Sequence, residues 1–201
     1  MKKPELIFIA GCNASGKSTF IRTRLNEFSG FEVIMTDAYK GRTKEVFKQA
    51  LLRGKDIVLE TVFNDESFKN LVDDARKAGY ISSLIVLFLD SAEQSKDRVA
   101  IRGMQQGGIT ISGSNVDINF NESLKNIATY YFYFDKCDFI YTGIGGENQK
   151  IMSFRKSELI TYQANNLQYP QRFAQFSFSK KRLDEDNFKI IITNRNFSRK
   201  I

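Results

Sequence analysis

The sequence predicts an α/β fold, a parallel sheet covered by helices on both faces. Three observations carry this. Short, continuous apolar runs such as "ELIFIA" and "YISSLIVLFLD" read as strands buried on both sides. Segments with helical apolar spacing alternate with them along the chain. The 201 residues, 42% hydrophobic, suffice for one sizeable core.

The elements follow in order. Residues 5–10 form a strand, then a glycine-rich loop leads into a helix from about Lys17 to Phe28. "FEVIMT" (31–36) is the second strand. "TKEVFKQALLRG" (43–54) places Val46, Phe47, Ala50 and Leu51 on one helical face, with Gly54 as its stop. "DIVLE" (56–60) is the third strand, 65–79 a helix closed by glycine, and 80–90 the fourth strand. The stretch 91–104 starts with Ser91 as cap and continues as a helix. "FNESLKNIATYYFYF" (120–134) is another helix, its aromatic run serving core packing, and "CDFIYTG" (137–143) the fifth strand. This gives about five strands in residues 1–145 and leaves 146–201 as an extension packed on the same domain. In the extension, "QRFAQFSFSKKR" and "NFKIIITNRNF" alternate enough to suggest a small β addition.

Composition bounds the function. Two cysteines, Cys12 and Cys137, provide no disulfide framework and suit a reducing compartment. No apolar run approaches the length of a membrane span. "LIFIA" is shorter than the roughly 7–15 apolar residues of a signal-peptide core, so the expectation is a cytoplasmic protein. The net charge of +7 is concentrated at one end: residues 151–201 contribute +6. Such a tail has affinity for nucleic acid or acidic surfaces, but no recognisable binding motif accompanies it.

The chemistry-bearing stretch is "GCNASGKS", residues 11–18. Gly11, four residues, then Gly16, Lys17 and Ser18, between a strand and a helix, have the spacing of a phosphate-binding loop. Glycines let successive backbone N–H groups turn inward, and the helix N-terminus adds positive dipole. Gly11, Asn13, Ala14, Ser15, Gly16, Lys17, Ser18 and Thr19 are therefore the expected ATP cradle. Lys17 reaches the outer phosphates and the Ser18 hydroxyl ligates Mg²⁺. The fold expected is that of a P-loop NTPase. A modified Cys12 thiol would collide with nucleotide, but a small residue filling a permissive position is the favoured reading.

"ELIFIAGCNASGKSTF", "VIMTDAY", "IVLETVF" and "DRVAIRGMQQGG" resemble, in order and spacing over about residues 5–143, the zeta-toxin-like P-loop kinases. That resemblance implies phosphorylation of a sugar hydroxyl of UDP-N-acetylglucosamine by ATP, and an antitoxin as protein partner. It places the catalytic base at Asp37, which follows the second strand at the carboxyl edge where open α/β sheets hold ligands. An ionised aspartate there can take the proton of an attacking hydroxyl. Glu60 ends the third strand, suited to holding Mg²⁺ through water or, with Thr61, to binding the acceptor. Asp90 also ends a strand but precedes a helix start at once, and reads as its cap or first-turn acid. Arg98 and Arg102 share a helix face leading into a lid over residues 98–120, with hinge candidates at Gln105–Gly108. Both arginines are expected at the transferring phosphoryl group.

The resemblance fails in one place. The family commonly carries a histidine after the paired glycines and then a run of arginines. Ile109 stands at the histidine position, the chain has no histidine, and Asp117, Ile118 and Asn119 replace the arginines. ATP–Mg²⁺ binding with poor phosphorylation of UDP-N-acetylglucosamine, and preference for a less anionic acceptor, is the expectation. Alternatively Arg155, Lys156 or Arg172 of the extension folds over the site and restores the charge. Two other functions remain open: a polynucleotide 5′-hydroxyl kinase using the basic tail, and an ATP-binding regulatory or interaction protein.

Overall fold

The computed structural model describes residues 3–39, 41–106, 111–143 and 147–199. β1 (Glu5–Ala10) lies inside the sheet, flanked by β3 (Ile57–Thr61) and β4 (Ile81–Phe88), and all three run parallel. β2 (Glu32–Met35) lies outside β3, and β5 (Lys136–Tyr141) outside β4, both parallel too. These are the five strands expected. The sheet then continues through β6 (Gln149–Arg155), β7 (Glu158–Tyr162) and the short β8 (Phe197–Ser198), each antiparallel to its neighbour. The order is β2-β3-β1-β4-β5-β6-β7-β8, eight strands in one sheet.

Helices cover both faces. α1 (Lys17–Arg22) and the turns after it place Phe20, Ile21 and Phe28 against Ile9, Val58 and Leu87. The opposite, larger face is covered by α3 (Thr43–Leu52), α4 (Phe68–Lys77), α6 (Gly113–Tyr130) and α7 (Tyr169–Ser179). Its centre is aromatic: Phe8, Phe134, Tyr131, Phe154 and Phe173 are buried and pack mostly edge to face. This bears out the reading of the aromatic run as core. The remaining helices are α2 (Thr36–Tyr39), α5 (Ala92–Gln106) and α8 (Glu185–Ile192).

Three expectations need correction. α1 stops at Arg22, six residues before Phe28; the Thr23 hydroxyl donates back to Thr19 O at 3.0 Å, and residues 23–30 continue as turns. α6 starts at Gly113 instead of residue 120, because Ser112 Oγ caps it through Asn115 N and buried Val116 extends the Phe120–Leu124–Ile127 stripe backwards. The two tail segments read as β are the helices α7 and α8. In α7 the buried set is Tyr169, Phe173, Ala174 and Ser177, a spacing near 3.6, with Pro170 in its first turn. The extension is partly β all the same: β6 and β7 form a hairpin whose turn is Lys156–Ser157, with Lys156 at φ 54°, and β8 takes in Phe197, the last residue of the second segment.

Parallel register brings the expected site to one edge. Met35 pairs with Glu60, Glu60 with Ile9, and Thr61 with Ala10. Asp37, Glu60 and the loop beginning at Gly11 therefore leave the sheet at the same level.

Candidate active site

The loop of residues 11–16 is held from behind, one carbonyl at a time. Lys17 Nζ donates to the carbonyls of Gly11 and Cys12, both at 3.0 Å. Ser95 Oγ donates to Asn13 O at 2.7 Å, Arg98 Nη1 to Ala14 O at 3.5 Å, and Thr142 Oγ1 to Ser15 O at 2.9 Å. Ser15 N–H turns back onto Cys12 O at 3.3 Å; with the carbonyls engaged on the protein side, the loop's other N–H groups can serve the cavity, the requirement of an anion cradle. Ala14 at φ 53° and Gly16 at φ 90° supply the left-handed turns. At Gly11 the constraint is space: a Cβ would collide with the carbonyl of Leu87.

A cavity of about 340 Å³ opens above this loop. Six of the eight cradle residues expected, Asn13, Ala14, Gly16, Lys17, Ser18 and Thr19, are in its wall. Gly11 and Ser15 are fully or nearly buried beneath. The same wall holds Asp37, Glu60, Thr61, Arg98 and Arg102, so every expected catalytic and acceptor-binding residue meets at one place.

Electrostatics distinguish them. Lys17 is 8% exposed, and burial pulls its ammonium below the ordinary lysine range while Glu60 pulls it back. Glu60 is 7% exposed; burial pushes its carboxyl up, opposed by Lys17 and by the Ser18 hydroxyl, which donates to Oε1 at 3.2 Å. Thr36 Oγ1 donates to the Glu60 carbonyl and Thr61 Oγ1 accepts from Phe63 N at 3.0 Å. Asp37 is exposed in α2. Ser18 and Glu60 form a hydroxyl–carboxylate pair of hard oxygen donors, which fits Mg²⁺ held partly by phosphate oxygens.

The two arginines part company. Arg98 Nη2 donates to Thr142 O at 2.6 Å and Gly143 O at 2.5 Å, in addition to its contact with Ala14. Its guanidinium is occupied in bracing the loop. Arg102 is exposed on the cavity rim, and makes no hydrogen bond or ion pair among the described residues. Of the hinge candidates, Gly107 and Gly108 lie outside the described residues, as does Ile109. Cys12 is buried, and burial raises its thiol pKa, so the small-filler explanation holds.

Sequence reasoning missed Asn64 and Asn119. Asn119 Nδ2 donates to Asn13 Oδ1 at 2.8 Å, and Asn64 Nδ2 to Asn119 Oδ1 at 2.7 Å, an amide chain from the phosphate loop through α6 to the loop after β3. The signal available was the position of Asn119 among the replaced arginines. Asp117 pairs with Lys96 at 2.7 Å and Ile118 is 57% exposed. The compensating charges are elsewhere too. Arg172 donates to Asn121 Oδ1 at 3.0 Å and lies over Phe120, while Arg155 and Lys156 sit in the β6–β7 hairpin. None of the three lines the cavity. Asp90 does not cap its own helix: Oδ1 accepts from the backbone N of Gln168 and Tyr169 at 2.6 and 2.8 Å, fixing the start of α7.

The zeta toxin family model matches residues 38–142, more than half of the chain. The chain belongs to the zeta toxin family. The match contains Glu60, Thr61, Arg98 and Arg102 but begins after the phosphate loop and Asp37, whose assignment rests on the geometry above. No protein of curated function matches in sequence. Among solved structures, a chain from the PezAT chromosomal toxin–antitoxin system of Streptococcus pneumoniae is 14% identical, with 74% of this chain and 72% of that one covered at a TM-score of 0.55. A chain of the AvrRxo1-ORF1:AvrRxo1-ORF2 complex with sulphate ions is 12% identical, with 98% and 78% covered at 0.58; the same complex with ATP matches at 12% identity and equal coverage, with a TM-score of 0.57. At these identities the likeness to this zeta toxin family member is one of fold. Among the described residues, no helix is long and apolar enough to cross a membrane.

Proposed function

We propose that the protein is an ATP- and Mg²⁺-dependent kinase that transfers the γ-phosphoryl group to a hydroxyl of a small molecule. The observation that carries this reading is a single cavity with a braced anion cradle and buried Lys17 on one side, and Asp37 and Glu60 on the other. Asp37 takes the proton of the acceptor hydroxyl as its oxygen bonds to the γ-phosphorus and the β–γ bridge opens to leave ADP. Lys17 and Arg102 stabilise the charge on the transferring group. Glu60 and Thr61 orient the acceptor, and Ser18, backed by Glu60, holds Mg²⁺. The ion, when bound, neutralises phosphate oxygens. UDP-N-acetylglucosamine, the acceptor implied by the family resemblance, is the first to try. The ATP complex among the structural relatives supports nucleotide use. The PezAT and AvrRxo1-ORF1:AvrRxo1-ORF2 complexes support a partner protein of antitoxin type. Two free, buried cysteines suit a cytoplasmic location.

The decisive experiment incubates the purified chain with γ-labelled ATP, Mg²⁺ and a metabolite extract. Label should appear in a small phosphate ester, and should vanish in Lys17→Ala. Tight ATP binding with no labelled product would support the regulatory reading instead. Label transferred to 5′-hydroxyl RNA or DNA, with steep salt dependence, would support a polynucleotide kinase. The latter is disfavoured by the position of Arg155, Lys156 and Arg172 away from the cavity.

A further inference from the structure

The cavity wall is electrically divided. The phosphate loop and α5 supply its cations, Lys17, Arg98 and Arg102. Two of these are committed: Lys17 lies within the loop on two carbonyls, and Arg98 braces three. The rest of the wall comes from α2, the end of β3 and the loop after it, α4 and the approach to α6. Its described side chains include Asp37, Glu60, Thr61, Asn64, Phe68 and Ile111, two carboxylates with polar and apolar neighbours and no cation. Lys44, on the neighbouring helix, donates to Ser67 Oγ at 2.8 Å and is not in the wall. Lys17, from the phosphate-loop side, and more weakly Arg22, from outside the wall, stabilise the Glu60 charge. Asn119, which occupies an arginine position of the family pattern, contributes an amide bound to Asn13 and Asn64.

We infer that the acceptor is a small alcohol without phosphate or carboxylate groups, and that an amino alcohol or amino sugar, its ammonium facing Asp37 and Glu60, suits the wall best. This rests on the kinase reading above and narrows its substrate class. A phosphate-bearing acceptor would bring like charge against Asp37 and Glu60, a juxtaposition that interfaces avoid, and would do so beside an anionic nucleotide. An ammonium is attracted to the same pair. Phe68 and Ile111 offer apolar surface to a carbon skeleton, while Thr61 and Asn64 hydrogen-bond to hydroxyls, the usual division of labour in a small-molecule site.

The test splits a metabolite extract on an anion exchanger and offers each half to the full chain with Mg²⁺ and γ-labelled ATP. Label should enter compounds of the unretained half at least tenfold more than those of the retained half. Added salt should slow transfer to cationic acceptors, because screening weakens their attraction. Label confined to the retained half, UDP-N-acetylglucosamine included, overturns the inference and leaves the kinase reading standing. Label in neither half overturns the kinase reading and the inference with it. Asn64→Lys, at an exposed loop position, places a cation on the acceptor wall and should raise labelling of the retained half several-fold. An unchanged preference in that variant counts against charge as the selector.

Discussion

The hydroxyl of Ser18 donates to Oε1 of Glu60 at 3.2 Å, joining the first turn of α1 to the end of β3. It is one of few groups that offset the burial of Glu60, whose carboxyl burial pushes above the ordinary glutamate range. The folded chain therefore keeps this proton to higher pH than the unfolded chain, and stability contributed by Glu60 is lost as pH rises through the raised value. Glu60→Gln lacks that loss. Thermal unfolding of both proteins without nucleotide, from about pH 4 to about pH 8, should show the wild type losing ground to the variant as pH rises. Parallel curves would show that Glu60 is not desolvated.

Lys17→Ala removes the one buried cation of the cradle. Transfer should fall by about 10²–10³, as for loss of a transition-state donor. Turnover equal to wild type would remove this loop from the chemistry.

Asp37 is exposed and outside the core, so Asp37→Asn should leave folding and ATP binding intact while transfer collapses. Calorimetric ATP titration alongside steady-state kinetics separates these. Loss of ATP affinity would assign Asp37 to the nucleotide side.

Arg98 and Arg102 should behave differently although they share a helix face. Arg98→Ala strips a charged donor from the carbonyls of Ala14, Thr142 and Gly143, worth about 1.5–3 kcal/mol for a charge-assisted bond. It should lower both the unfolding midpoint and ATP affinity, and Arg98→Lys should not restore them, because an ammonium lacks the planar fork. Arg102→Ala should lower kcat at unchanged stability. Equal stability in the two alanine variants would contradict the bracing role.

Asp90→Ala removes the acceptor for two backbone N–H groups at the start of α7 and should cost about 1–2 kcal/mol in urea unfolding. Truncation before residue 146 should go further. It would bare the β5 edge and uncover Phe139, which packs on Phe154 and Phe173. Aggregation, not a folded but inactive kinase, is the expected outcome; a soluble monomer of residues 1–145 would show that the extension is dispensable.

The parallel half of the fold and the cavity's main residues were legible because each depends on local pattern. Buried strands are continuous apolar runs, and a strand followed by Gly11, Gly16 and Lys17 leaves little choice of geometry. What stayed hidden depends on contacts distant in sequence. Asp90 looked like a local cap, yet its partners are Gln168 and Tyr169. Arg98 carries the same spacing to Arg102 whether it faces a phosphate or a set of carbonyls. In α7, Phe176 and Phe178 mimic strand alternation, and only the burial of Tyr169, Phe173 and Ala174 settles the period.

The bracing of the phosphate loop also has a consequence for how the protein comes into being. Lys17 holds the first two carbonyls locally, but the side chains that hold the other three lie far downstream: Ser95 is 82 residues from Asn13, Arg98 84 from Ala14, and Thr142 127 from Ser15. Such distant closures form late in folding. A nascent chain thus carries the nucleotide-binding motif for 127 residues beyond Ser15 before the last of these braces exists. The full set of braces is present only in molecules elongated beyond Thr142.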